Sequence, residues 1–307
     1  MNESIKRLLR PIVKHRNLIE KIRYRPGEVA NEVDGNHLLS DRLEKSIPTA
    51  IGKIGAAEMG GVRHYLSRRD TKGHCASWGK HARLLHVNAG VYPNDPAMFS
   101  RFCQEYIDAI SSLDIISVWY NRGEASVIRK FAPNAKLISL TSLEPYYHDN
   151  PWSKSLAGKR VLVMSPFTKS ISTQYSRRAE VWASHPSVMP DFELQTIRTP
   201  LSAGLTAPEF SDWFVALDAM RGQISQSRAD AVIVGAGAWS LPLVAHAKRE
   251  GKWALHLGGP TQILFGVKGA RWESNARIAP FYNNAWQRPK VDETPQANRK
   301  VENGCYW

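Results

Sequence analysis

Four short stretches of this 307-residue chain carry residue types and spacings suited to holding a phosphate or moving a proton. In the first, the apolar run 231–234 leads into Gly235-Ala236-Gly237-Ala238-Trp239-Ser240 and then a periodic apolar stretch. Glycines there let the backbone turn tightly and approach a ligand, and the start of a helix presents free N–H groups and the positive end of its dipole. Ser240 would cap that helix or touch the phosphate. The run is not a full GxGxxG, and no acidic residue placed for a ribose follows the next strand, so it does not read as a dinucleotide fingerprint.

The second stretch follows 160–164 (RVLVM) and runs Ser165-Pro166-Phe167-Thr168-Lys169-Ser170, hydroxyls and one cation before a helix. The third is Leu257-Gly258-Gly259-Pro260-Thr261-Gln262, with Lys268 and Arg271 a little further on, two cations suited to a diphosphate. The fourth is Lys53-Ile54-Gly55-Ala56-Ala57-Glu58, where a carboxylate after a short strand could act as a base or a metal ligand. Each stretch has a plainer alternative: a capped turn, solvated charges, or a glutamate favouring the first turn of its helix. His74, His81, His86 and His148 show no metal-ligand spacing.

The elements that would position these residues alternate. Short apolar strands are expected at 50–54, 115–119, 136–140, 160–164, 192–197, 231–234 and 253–257, with helices at 59–66, 97–112, 124–131, from 171, 210–225 and 241–250. That alternation predicts an α/β fold: a Rossmann-like, mostly parallel, doubly wound sheet in two halves, with ligands at the strand ends. Residues 26–48 read as a polar connector, and the last 25 residues as a polar tail whose aromatic end, Tyr306-Trp307, docks on the body. The domain reading is a basic helical segment and connector over 1–48, the α/β domain over 49–282, and the tail over 283–307.

Composition narrows the partners. The net charge is +13, with 43% apolar and 22% charged residues, and it suits an anionic partner. Residues 1–25 hold eight Lys/Arg against Glu3 and Glu20, with Ile5, Leu8, Leu9, Ile12 and Val13 at helical spacing and Leu18, Ile19 and Ile22 continuing the pattern. Such a helix can lie on an anionic membrane, or pack its apolar stripe on the protein. Cys75, Cys103 and Cys305 are widely separated, which argues against a disulfide framework and for reduced thiols in the cytoplasm. No apolar run is long enough to span a bilayer, and no nucleic-acid module is recognisable, so nucleic acid is not an expected partner.

The combined motifs resemble the D-type glycosyltransferase fold, a family found near bacterial surface-polysaccharide genes. The resemblance rests on Leu143-Glu144-Pro145-Tyr146-Tyr147, Asn150-Pro151-Trp152-Ser153, Leu156-Ala157-Gly158-Lys159-Arg160-Val161-Leu162-Val163, and Ser165-Pro166-Phe167 with Gln174-Tyr175. His256-Leu257-Gly258-Gly259 with Gln262, Phe265-Gly266, Arg271-Trp272 and the tail Glu302-Asn303-Gly304-Cys305-Tyr306-Trp307 extend it over roughly residues 50–307. It implies transfer of a sugar from a nucleotide-sugar donor to a surface-polysaccharide, glycan or lipid-linked acceptor. On this resemblance Lys53, Gly55, Ser165, Phe167, Lys169, Ser170, Gly235, Gly237, Trp239, Ser240, Gly258, Gly259, Gln262, Lys268 and Arg271 are the donor-binding candidates. Glu58 is the first candidate base, with Asp149 and Glu144 behind it. Family members carry Arg-Phe-Gly-Asp-Gly-Glu at the first strand, where the acidic pair is associated with metal and diphosphate. Here the Asp is Ala56 and only Glu58 remains, a poor donor set for Mn²⁺ or Mg²⁺. Two other functions fit the same scaffold: a non-catalytic subunit of a polysaccharide assembly, and a phosphosugar- or nucleotide-modifying enzyme. The expected place is the cytoplasm, with residues 1–25 touching the inner membrane face.

Overall fold

A computed structural model of the chain describes residues 18–201, 209–296, 298–300 and 304–307. The expected N-terminal basic helix lies, up to residue 17, outside the described residues.

Eight strands form one all-parallel sheet: β1 Val29–Ala30, β2 Thr49–Gly52, β3 Ile115–Val118, β4 Lys136–Ser139, β5 Arg160–Ser165, β6 Glu193–Arg198, β7 Ala231–Val234 and β8 Trp253–His256. Their order is β1-β4-β3-β2-β8-β7-β5-β6. The fold is α/β and Rossmann-like. The central strands are short and apolar because both faces are covered. In β7 all four residues are buried, Val232 and Val234 in the core on one face, Ala231 and Ile233 in the core on the other.

Helices α2 (Ala56–Arg68), α3 (Pro96–Ser111), α4 (Glu124–Phe131), α6 (Trp213–Gln226) and α7 (Ser240–Arg249) pack on the first face. The second face carries α1 (Glu32–Glu44), α5 (Thr168–Ser176), the irregular stretch 140–156 and the chain after β8. This division follows from right-handed crossovers. Connections running toward the β1 edge (β2 to β3 to β4, β6 to β7 to β8) use the first face, and those running toward the β6 edge (β1 to β2, β4 to β5 to β6) use the second. As a result β2 and β8, the second and last strands, lie side by side at mid-sheet. The chain leaves β2 toward the first face and β8 toward the second. In such sheets, loops that diverge in this way from adjacent strands form the crevice at the carboxyl ends where ligands usually bind.

The 26–48 stretch is not a connector. It contains β1, paired with β4, and the thirteen-residue helix α1. Asn31 caps α1 by accepting from the Val33 and Asp34 amides. The helix is polar on average, and its buried side combines Leu39 and Leu43 with Asn36, so its apolar stripe is too thin to read by periodicity. Helix α5 begins at Thr168, three residues before the expected 171. No helix among the described residues is long and apolar enough to cross a membrane.

Asn36 is 1% exposed and joins two segments: its amide donates to the Asn150 carbonyl at 2.8 Å and its oxygen accepts from the Trp152 amide at 2.8 Å. Asn36→Ala leaves both backbone groups buried and unpaired, at a cost of about 2–4 kcal/mol. Urea unfolding measures this loss, and a loss under ~1 kcal/mol would show the bridge is dispensable.

Candidate functional site

Lys53 follows β2, and its side chain is buried at 5% exposure beside β8. Its Nζ stands 5.4 Å from the centroid of the Trp119 ring, at the end of β3. No hydrogen bond or carboxylate ion pair reaches this amine among the described residues. Burial pushes Lys53 down to about 8, Glu144 pulls it back up, and Arg271 pushes it down further. A lysine held this way is a cation short of a counter-ion.

His256 ends β8 and is 7% exposed. Its Nδ1 lies 3.1 Å from the Lys53 carbonyl, which can only accept, so Nδ1 carries the proton and Nε2 keeps a bare lone pair. Burial, with the Lys53 charge behind it, holds the ring down near 3, and His256 is therefore neutral. Gly258 closes the pocket. Its φ is +69°, and a Cβ there would stand 3.3 Å from His256 Nε2 and 3.4 Å from Lys53 Cε. A side chain at this position would be strained and would crowd the amine and the imidazole together.

The chain's C-terminus organises the opposite wall. Gln262 Nε2 donates to the Tyr306 carbonyl at 2.8 Å, and the exposed Arg271 donates to the Tyr306 hydroxyl at 3.0 Å. The Arg271 guanidinium lies 5.4 Å over Trp272 and 5.1 Å over Tyr306. Gly259 sits against the same two rings. Among the described residues, Thr261 Oγ1 and Gln262 Oε1 are buried oxygens without a donor.

The other expected phosphate cradles are filled by the protein itself. At the start of α5, Glu293 accepts from the Lys169 amide at 2.7 Å and the Ser170 amide at 3.2 Å, and also from the Ser170 hydroxyl. Lys169 is ion-paired with Asp292. Ser165 accepts from the Phe167 amide, and Phe167 is buried edge-on to Trp307 at 6.0 Å. The stretch offered to a phosphate thus already holds a carboxylate, and its lysine a partner. In the 235–240 loop, Gly235 packs where a Cβ would meet Thr261 Oγ1 at 2.7 Å and the Gly258 carbonyl at 3.0 Å. Ser240 is buried and accepts from the Ala236 amide at 3.0 Å, and Trp239 stacks on Trp213 at 5.8 Å. Of this loop only Gly237 is exposed. Lys268 lies over Tyr282 at 5.4 Å.

The three candidate carboxylates fall in different places. Glu58 occupies the third position of α2 and turns back over Gly55, the helix cap, as in a capping box. Its charge is felt by the buried Tyr106. Asp149 is exposed on a bend. Glu144 accepts from the Tyr146 hydroxyl at 2.8 Å, and its charge reaches Lys53. Trp119 was not among the expected site residues; an aromatic one residue beyond a strand end was the available signal. Two surface hollows lie away from the crevice, one around Arg101, Glu105 and Arg221, the other beside α4 at Arg129 and Pro133. In the first, Arg221 is paired with Glu105 and Asp218, and Arg101 lies over the Phe214 ring.

Comparison of the chain with protein-family models, with curated proteins and with solved structures finds no match.

Lys53 has a consequence for stability. Unfolded, it keeps its proton to its ordinary value of 10.5; folded, it releases it near 8. Folding therefore releases a proton between these values, and stability rises with pH across that window and is lost as pH falls through it. Lys53→Met should stabilise the protein below the window by up to about 3 kcal/mol, an advantage that shrinks from pH 7.5 to pH 10. Urea midpoints of both proteins at the two pH values test this; a less stable variant at pH 7.5 would refute it.

Proposed function

We propose that the β2–β8 crevice binds a phosphate-bearing ligand and that the protein is a glycosyltransferase using a nucleotide-sugar donor. The observation carrying this reading is Lys53: a buried ammonium that no carboxylate pairs with among the described residues, at mid-sheet, beside a glycine turn. A dianionic diphosphate supplies the missing counter-charge. Arg271, within electrostatic reach of Lys53, is the second cation. When the glycosidic bond breaks, negative charge grows on the leaving nucleoside diphosphate, and fixed cations in a water-poor site favour that change. The neutral His256 Nε2 accepts a hydrogen bond from a hydroxyl of the ligand. The resemblance to D-type glycosyltransferases supports the transferase class.

Among the described residues no three His, Cys, Asp or Glu side chains form a metal-holding group, and Ala56 stands where the family has Asp. The residues present do not fit a protein-held Mn²⁺ or Mg²⁺, and charge neutralisation falls to Lys53 and Arg271. Glu144 is the candidate base for the acceptor hydroxyl, because its charge reaches the crevice while Glu58 is turned onto its own helix. The second reading is a non-catalytic binding subunit, favoured by Ala56 and by the position of Glu58.

Thermal unfolding with UDP, GDP, CMP, TDP and their sugars, each with Mn²⁺ or EDTA, tests the reading. A ligand at a hundred times its Kd adds about 2.7 kcal/mol, a Tm rise of roughly 3–8 °C. One nucleotide class should give this rise with EDTA present, and Lys53→Met should abolish it. No rise with any nucleotide, or an equal rise in the variant, would sink the assignment. With donor and acceptor identified, Glu144→Gln should lower turnover by about 10²-fold or more while leaving the nucleotide-induced rise intact. Unchanged turnover would remove Glu144 from the role, and binding without any glycan product would favour the scaffold reading.

A further inference from the structure

We propose that the rim beside the crevice docks on an anionic lipid surface, with Leu18, Ile19 and Ile22 entering the headgroup layer. These three aliphatic side chains are 57%, 56% and 75% exposed. They share one helical turn, closed by the Ile22 amide on the Leu18 carbonyl at 3.2 Å. The side of the turn facing the body is polar. Glu20, 3% exposed, accepts from the Ala125 amide at 3.2 Å and lies 3.6 Å from Arg23. Tyr24, also buried, packs edge-on against Tyr120 at 5.6 Å. An amphipathic element of a soluble surface buries its apolar side and exposes its charges. This one is anchored through a carboxylate and a phenol, and among the described residues its aliphatic side is left outward.

The charge around the turn selects the partner. Lys21, Arg23 and Arg25 are exposed on it, and Arg122 is exposed nearby. Arg63 lies against Gly123; burial and the charge of Arg122 disfavour its own charge, Glu20 favours it, and Arg23 adds a smaller repulsion. The nearby acids are few and engaged: Glu20 with Arg23 and Ala125, Glu28 with Arg129 at 3.7 Å. Aliphatic side chains ringed by surplus cations match a bilayer carrying anionic headgroups, where insertion and electrostatic attraction act together. The exposed Trp119 extends the same rim toward the crevice. Its amide is held by Glu124 at 3.1 Å, next to the Glu20 anchor on Ala125, and Lys53 stands over its ring. Tryptophan is enriched at such interfaces. The inference does not depend on the transferase reading; where both hold, the acceptor is presented from the bilayer.

The test is flotation of the full chain with phosphatidylcholine vesicles, alone or mixed with phosphatidylglycerol. The expected result is binding to the mixed vesicles at least ~tenfold above the neutral ones, and loss of that excess in Leu18→Ser/Ile19→Ser/Ile22→Ser. Because these side chains are exposed, the variant should keep the wild-type Tm; Ile22→Ser alone, with a partial loss, covers the case where it does not. Arg25→Gln/Arg122→Gln should weaken binding to the mixed vesicles only. Inorganic phosphate should release the chain from vesicles no more than sodium chloride of equal ionic strength; greater release by phosphate would show that the cations bind free phosphate and would overturn the proposal. So would wild-type protein that stays with the soluble fraction in both lipids, a serine variant that floats as well as wild type, or a soluble dimer that the serine variant dissociates.

Discussion

The pairing of β2 with β8 is the contact on which the molecule depends. It aligns Thr49 with Trp253, Ala50 with Ala254 and Ile51 with Leu255, joining residues some two hundred positions apart. Without it the chain is two half-sheets, β1-β4-β3-β2 and β8-β7-β5-β6. The seam is reinforced from both sides. Trp253 meets Trp152 at 5.4 Å on the second face, and on the first Asp114 receives the Ala50 amide and the Lys248 ammonium of α7. At its carboxyl end the seam places Lys53 beside His256. The crevice is therefore a product of long-range strand order, and its chemistry exists only when both halves are in register.

Electrostatics then decides where an anion can go. A helix N-terminus attracts negative charge only while its amides are unpaired. Around this rim the protein supplies its own acids and hydroxyls. Asp95 caps α3, Asp212 caps α6, Glu293 fills the start of α5, Glu58 turns onto α2, and Glu124 accepts the amides of Trp119 and Asn121 ahead of α4. The one rim position where a cation is buried without a carboxylate bonded to it, among the described residues, is Lys53. The general rule that parallel sheets bind ligands at strand ends names eight candidate ends; internal neutralisation reduces them to the β2–β8 pair.

Much of the fold was legible in local pattern. The helix Glu124–Phe131 and the strand Ala231–Val234 follow directly from periodicity and β-rich composition, and Asp95-Pro96 marks the start of α3. The α1 helix was not legible, because Asn36 does by hydrogen bonding what an aliphatic residue would do by packing. The site was partly legible. Lys53, Gly258 and Arg271 stand out as cations and a glycine after strands, and Gln262 as a polar residue just past the glycine pair. Strand order, which brings Lys53 to His256, is not a local property. Neither is the return of Glu293 from the polar tail to α5, a contact across 123 residues. The loops at 165–170 and 235–240 carry residue types suited to phosphate, but those groups are spent on capping and packing, and composition cannot separate the two uses.

Lys53 also bears on why the crevice has this form. A carboxylate bonded to the amine would cancel its charge and remove most of the cost of burying it. The protein places Glu144 near enough to moderate that cost but bonds it to Tyr146 instead. The amine is left partly compensated, and Arg271, a like charge, stands on the same crevice. In a purely structural site this arrangement is a net loss: a buried methionine would pack as well without the desolvation. In a binding site the same loss is returned when a dianion enters, because the ligand then meets a preformed and poorly hydrated cation that needs no reorganisation. The neutral state of His256 fits the same logic. A protonated imidazole beside Lys53 would double the buried charge, and the hydrogen bond from Nδ1 to the Lys53 carbonyl keeps the ring in the tautomer whose Nε2 is an acceptor. The cost of burying Lys53 and the phosphate affinity proposed for the crevice are thus two expressions of one electrostatic imbalance.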